Sequence, residues 1–232
     1  MKKLIFIALM IIAAIPSMAE KRVYRLDIGR FDKVKITDNV NVVYRSEPDS
    51  TGMAVFEGEE EFANAFIFSN SKGKLRIQVN TEDVNNPALP TLYIYSDYIT
   101  EIENSSEFTT TVINSTSVPT FSVKQIGNGK IVASDITAGT VEAHLATGKG
   151  DIVLTGNCDK AKFKMVGTGT IEAANLRAFE VQCSILGTGN IMCDPQKKLD
   201  VRGIGSTNIF YKGNPEIKKV GGGKLSPLVE TE

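Results

Sequence analysis

The chain has no tryptophan, a single histidine and only three cysteines among 232 residues. Without tryptophan, a surface built on broad aromatic platforms for stacking sugars is disfavoured. His144 is the only imidazole and no Cys-x-x-Cys spacing occurs, so a metal centre has too few ligands. The lone histidine also leaves no convincing Ser-His-Asp or Cys-His arrangement. Three cysteines cannot all pair within one chain. Cys183 shares an alternating phase with Val181 and Ile185, and Cys193 with Ile191. Both read as small apolar core residues with free thiols, a Cys183–Cys193 bridge being the alternative. Charge of one sign is missing too. Setting aside Lys2 and Lys3 leaves 24 of the 26 basic residues against 27 acidic ones, a net of −3. No basic stripe speaks for nucleic acid.

The only long apolar run stands at the start. Lys2 and Lys3 precede apolar Leu4 to Ile15, Pro16 breaks the run, and Ser17-Met18-Ala19 is a small-residue cleavage site. Residues 1–19 therefore read as a signal peptide, with the mature chain starting near Glu20. An uncleaved anchor is the alternative, disfavoured because a spanning helix needs about 20 apolar residues. No later run is long enough, so no transmembrane segment is expected in the mature chain. An exported location follows: periplasm, cell surface or extracellular.

Residues 20–104 read as β-rich. Phe31, Val34 and Ile36, then Val40, Val42 and Tyr44, stand mostly two apart, as on half-buried strands. Gly58 to Ala65, with Glu59, Glu60 and Glu61, reads as a short helix or an acidic turn. Leu75, Ile77 and Val79 mark another strand, and Thr91 to Tyr95 a further one.

From residue 105 to 215 one signature recurs: Gly127-Asn-Gly129-Lys-Ile131, Gly148-Lys-Gly150-Asp-Ile152, Gly167-Thr-Gly169-Thr-Ile171, Gly187-Thr-Gly189-Asn-Ile191 and the worn Gly205-Ser-Thr207-Asn-Ile209. Its period of about 20 residues marks stacked units, none of which can bury its apolar face alone. An alternating strand leads into each signature and another leaves it. Two strands, a sharp corner and a loop make one rung of a parallel β-helix, or solenoid. An antiparallel meander is less fitting, because it would need a glycine turn at every strand end. The glycines are the expected corners, through positive φ and close stacking of backbones. Ile131, Ile152, Ile171, Ile191 and Ile209 are the expected internal ladder. Lys130, Asp151, Thr170, Asn190 and Asn208 should then point outward. Residues 216–232, with Gly221-Gly222-Gly223, read as a flexible tail. Open solenoid edges make a homo-oligomer conceivable.

Chemistry is thin. The glycine pair lacks the third glycine and helix of a dinucleotide fingerprint, and the Gly-Lys-Ser/Thr ending of a P-loop, so no cofactor is expected. Glu142 and His144 share a strand face, and Asp151 leaves the next corner. They form the nearest thing to an acid–base cluster, as a polysaccharide lyase or hydrolase on a β-helix would need. A solvated surface is the more economical reading, and no catalytic residue is assigned. The Asn190/Asn208 column could bind a glycan or partner, or merely hydrogen-bond along the ladder.

The Gly-x-Gly-x-Ile series, its close at Tyr211-Lys-Gly213-Asn-Pro215, and the strands Phe31-Asp-Lys-Val34-Lys-Ile36 and Tyr93-Ile-Tyr95 resemble the GIN-domain family of auto-transporter adhesin heads. The resemblance runs from Ile28 to Pro215. It implies a β-solenoid with an adhesive or surface-binding role, and no known catalytic residues. The chain is thus expected to be a non-enzymatic module of the cell envelope whose partner is a surface glycan or protein. A β-helix carbohydrate-active enzyme is the alternative.

Overall fold

The computed structural model describes residues 21–80, 86, 89–113 and 116–228. The expected signal peptide lies outside the described residues. Strands dominate because apolar residues alternate through almost all of these segments. Before the glycine repeats come β1 (Arg22–Asp27), β2 (Lys33–Ile36), β3 (Val42–Ser46), β4 (Met53–Gly58) and β5 (Phe66–Ser71). They are followed by β6 (Lys74–Val79), β7 (Leu92–Ser96), β8 (Glu101–Asn104) and β9 (Thr109–Ile113). The repeats form β10 (Val118–Ile126), β11 (Lys130–Thr147), β12 (Asp151–Met165), β13 (Thr170–Ile185), β14 (Asn190–Gly203) and β15 (Asn208–Tyr211). The acidic stretch after Gly58 holds a short 3-10 helix, Glu60–Asn64, pinned by buried Phe62.

Parallel pairing about every 20 residues winds the chain into a β-solenoid of about six turns. Each long strand serves two sheets. In β11, Lys130–Ala133 pairs with β9 and β12, whereas the stretch from Thr140 to Leu145 pairs with β10 and β12. Between them the register shifts and Asp135 takes a φ of +57°. Aspartate tolerates this left-handed conformation better than most residues, which suits it to the bend.

Period-2 alternation then separates core from surface. One internal ladder runs Leu92, Val42, Thr110, Ile131, Ile152, Ile171, Ile191, Ile209 and Leu225 in unbroken register. The five isoleucines of the signature are fully buried. Burying each such side chain stabilises the fold by about 1.5–3 kcal/mol. A second ladder on the facing sheet runs Leu75, Val34, Ile102, Val123, Ala143, Phe163, Cys183 and Val201. Cys183 and Cys193 are buried free thiols and Cys158 is a half-buried one.

The corners work mainly by crowding. Gly127, Gly148 and Gly205 take positive φ, but Gly129, Gly150, Gly167, Gly169, Gly187 and Gly189 do not. At Gly169 an added Cβ would overlap the Gly150 carbonyl oxygen, and at Gly189 that of Gly169. Positive φ is therefore the reason for glycine at a minority of corners, and close backbone stacking at the rest. Thr207 replaces a glycine without breaking the pattern: its buried hydroxyl donates to the Gly187 carbonyl at 2.9 Å. In the first rungs an amide network fills the corner. Asn104 Nδ2 donates to Gln125 Oε1 at 3.0 Å, and Ser106 Oγ donates to Asn104 Oδ1 at 2.8 Å.

Two features depart from the sequence reading. The β-rich stretch before residue 105 extends the same two sheets as the repeats. Its strands, however, stack out of chain order. β2 lies between β6 and β8, and β3 between β7 and β9, all parallel. Antiparallel β4 and β5 then cover the outer rung, with β1 on β4. At the other end, the tail expected to be flexible forms β16 (Glu216–Gly221) on β14 and β17 (Lys224–Pro227) on β15. Gly221 and Gly222 are its corner: a Cβ on either would press on the Gly203 or Gly205 carbonyl oxygen. Close stacking at Gly221 and Gly222, and positive φ at Gly221 and Gly223, account for the glycine triplet.

Candidate functional site

Glu142, His144 and Asp151 do not come together. Asp151 pairs with Lys130 and Thr170 on one sheet, while Glu142 and His144 stand on the other, opposite Lys162 and Lys164. Glu142 is held by Lys162 at 2.8 Å. The Asn190/Asn208 column is self-satisfied at its end, Asn208 Nδ2 donating to Asn190 Oδ1 at 3.1 Å. The corner glycines and ladder isoleucines carry no reactive group; they fix the register in which the outward side chains stand.

That register builds a charged face. Stacking places Lys35, Glu103, Lys124, His144, Lys164, Ser184 and Arg202 in one outward column. Ser122, Glu142, Lys162 and Gln182 form the neighbouring one. Glu103 is gripped from both sides, by Lys35 at 2.7 Å and Lys124 at 3.5 Å. Burial alone would push its carboxyl up, but the hydrogen bonds and charges of Lys35 and Lys124 outweigh this and hold it below the usual range. Arg202 clasps Asp200 through Nε and Nη2, at 3.2 and 3.1 Å. Lys164 makes no salt bridge among the described residues.

His144 sits between Lys124 and Lys164 and lines a cleft of about 330 Å³ with Ser122, Glu142, Lys162 and Ser184. Its Nε2 is shut off from solvent and has no hydrogen-bond partner among the described residues. Burial, and then the charges of Lys164 and Lys124, push its pKa down, so the imidazole is neutral at pH 7. An uncharged histidine between ammonium groups, its nearest carboxylate already taken by a lysine, is arranged to receive negative charge. It is not arranged as an acid–base pair, which needs a carboxylate or a substrate proton within reach.

A larger concavity of about 680 Å³ lies beyond Asp135, lined by Asn157, Cys158, Asp159, Arg177, Phe179 and Gln196. Phe179 is half exposed there, but the Lys197 ammonium sits over its ring at 5.2 Å from the centroid. The aromatic face is thus already occupied. Burial raises the Cys158 thiol to about 11, with help from Asp159, which leaves it unreactive near neutrality. The Cys183 thiol is pushed well up by a hydrogen bond with Cys193 and by burial. Among the described residues no cluster of three or more potential metal ligands occurs.

The charged column escaped the sequence reading because its members lie about 20 residues apart. Superposing the repeats in register, and not only their glycines, would have brought Lys124, His144 and Lys164 together.

Comparison with known proteins agrees with this architecture. The crystal structure of a putative adhesin from Bacteroides fragilis matches with a TM-score of 0.77 at 21% identity, covering 90% of this chain and 97% of that one. A putative adhesin from Parabacteroides distasonis matches with a TM-score of 0.71 at 15% identity, covering 91% and 98%. A putative lipid binding protein from the same species matches at 0.65 and 23% identity, covering 90% and 96%. At these identities the likeness is one of fold. No curated protein matches the chain. The family model described as "Putative auto-transporter adhesin, head GIN domain" matches residues 30–215, and the chain belongs to that family.

Proposed function

We propose that the protein is an exported, non-enzymatic binding module that attaches to a surface glycan or protein at the cell envelope. The carrying observation is the state of its one candidate catalytic cluster. Glu142 is tied to Lys162, His144 is flanked by lysines, and Asp151 lies on another sheet. What remains is a stack of parallel rungs that sets polar side chains at regular spacing, which suits multivalent attachment. The family and its adhesin neighbours support the same reading. The N-terminal run of residues 1–19, read as an export signal, supports a position outside the cytoplasm. The test pairs a glycan array with turnover assays on acidic and neutral polysaccharides. Retention without cleavage is expected, and steady release of oligosaccharides would refute the reading.

A further inference from the structure

We propose that the cleft beside His144 binds the carboxylates of an acidic polysaccharide, a uronate-bearing chain laid along the solenoid axis. This site rests on the reading of the protein as a binding module and gives that module its ligand class.

Charge supplies the first reason. Lys124, Lys162 and Lys164 line the cleft against one carboxylate, Glu142. Lys162 is spent on Glu142, and Lys124 shares Glu103 with Lys35 at the longer distance of 3.5 Å. Lys164 has no salt-bridge partner among the described residues. The second reason is His144, whose Nε2 is buried without a partner. A buried polar atom without a hydrogen bond is costly. Water cannot relieve that cost, and a carboxylate in the cleft acts on the ring through its charge, favouring the protonated imidazole between the two ammonium groups. Glu142 cannot serve, because Lys162 holds it.

Periodicity points to a polymer. Lys124, His144, Lys164, Ser184 and Arg202 occupy successive rungs, about 4.8 Å apart and about 19 Å from first to last. A single small anion would use one or two rungs. An extended acidic sugar chain advances by a similar step per residue and can present a carboxylate to several. Ser122, Gln182 and Ser184 flank the cations with groups that both donate to and accept from sugar hydroxyls. None of the exposed large hydrophobic residues lines the cleft. The one ring that lines it, Phe163, is buried in the core and offers no open face for an acyl chain, an apolar side chain or a neutral sugar.

Binding should be coupled to protons. The charged groups around His144 are Lys124 from β10, Lys162 and Lys164 from β12, Glu142 on its own strand, and Glu103 from β8 beyond Lys124. A bound carboxylate offsets the two flanking ammonium charges, so the imidazole takes up a proton more readily and affinity rises as pH falls from 8 to 6.

The test uses the exported chain with oligogalacturonate, followed by calorimetry at low salt and by NMR of the only imidazole in the protein. Binding is expected that weakens about tenfold with Lys164→Gln or with methyl-esterified oligomer, as loss of a charge-assisted contact implies. Lys130→Gln, an exposed lysine on the other sheet, should leave it unchanged. The His144 titration should move upward when ligand is added. Equal affinity for the esterified oligomer, wild-type affinity in Lys164→Gln, or an unmoved His144 would each overturn the site. Preferential binding of phosphatidylglycerol vesicles, or of a poly-glutamate peptide, would replace the polysaccharide by that ligand. If an array shows binding to other glycans that Lys164→Gln leaves intact, the module survives and this site does not. Cleavage of the oligomer would instead remove the binding-module reading itself.

Discussion

Gly169→Ala tests whether the corners need glycine because of crowding. The corner around Gly169 hangs on its neighbours through short backbone bonds. Thr168 N donates to Gly148 O at 2.9 Å, Thr170 N to Gly150 O at 3.2 Å, and Asn190 N to Gly169 O at 3.0 Å. An alanine Cβ would overlap the Gly150 oxygen and stand 2.9 Å from the Gly150 and Lys149 carbonyl carbons. These are backbone atoms and cannot swing aside, so the rungs must part. Losing one or two of the bonds costs about 0.5–1.5 kcal/mol each, and the overpacking about 1–3 kcal/mol. Against this, alanine lowers the entropy of the unfolded chain by only about 0.4–1 kcal/mol. The net destabilisation is about 1–5 kcal/mol, which for a domain of this size lowers Tm by about 2–20 °C. Because Gly169 does not have positive φ, none of this is backbone strain. Gly127→Ala isolates the other cause: nothing lies within 4 Å of its added Cβ, but φ is +87°, and the cost should be about 1–2 kcal/mol. Gly169→Val should be only modestly worse than alanine, since the first atom already collides. Thermal unfolding followed by circular dichroism decides it. A Gly169→Ala variant melting within about 1 °C of wild type would show that the rungs yield freely and that the crowding argument is wrong.

Other consequences are open to measurement. Ile171→Ala removes a fully buried rung of the ladder and should cost about 2–5 kcal/mol in urea unfolding, while Thr170→Ala beside it should stay within about 0.5 kcal/mol. Glu103 has a carboxyl pKa lowered from 4.5 in the folded state, so its pairing contributes fully above that value and is lost as pH falls through the lower folded value. The stability gap between wild type and Glu103→Gln should therefore be flat from pH 7 to about 5 and shrink below about 4.5; a gap that widens in acid would contradict the pairing. Cys158, at about 11, should react with iodoacetamide at pH 8 roughly a hundredfold more slowly than an unperturbed thiol. Buried Cys183 and Cys193 should label only on unfolding, and rapid labelling of any of the three would show a looser core.

The repeat made the scaffold legible because its determinants are local. Ile131, Ile152, Ile171, Ile191 and Ile209 each follow their own corner by a fixed step, and strand alternation decides which way they face. The order of the first rungs was not legible. That β2 slots between β6 and β8 depends on long-range pairing, and Val34 reads the same beside Leu75 or Ile102 as beside any other aliphatic partner. The final coil was missed for a different reason. Its strand β16 is exposed along its length, so Ile217, Val220 and the three glycines look like a linker until the Gly203 and Gly205 corners beneath them are seen. Asp151 reads as a neighbour of Glu142 and His144 because it leaves the corner that their strand enters; that corner, at Gly148 and Gly150, sends Asp151 and Glu142 to different sheets.

The corners and the charged face are one design. Glycine corners let adjacent backbones approach until each rung sits squarely on the last. That fixes the parallel register in which Lys124, His144 and Lys164 line up. Any side chain at Gly150 or Gly169 would force rungs apart and disturb the outward columns along with the isoleucine ladder. The face itself is under no such constraint. Surface ion pairs such as Lys162–Glu142 contribute about 0–1 kcal/mol to stability, so outward residues can change while the stack persists. Selection on binding can therefore act on Lys164 or Ser184 almost independently of folding, while selection on folding acts on the glycines. A stack of this kind separates the two pressures by residue position, and that favours reading the outward columns as the place where partner choice is made.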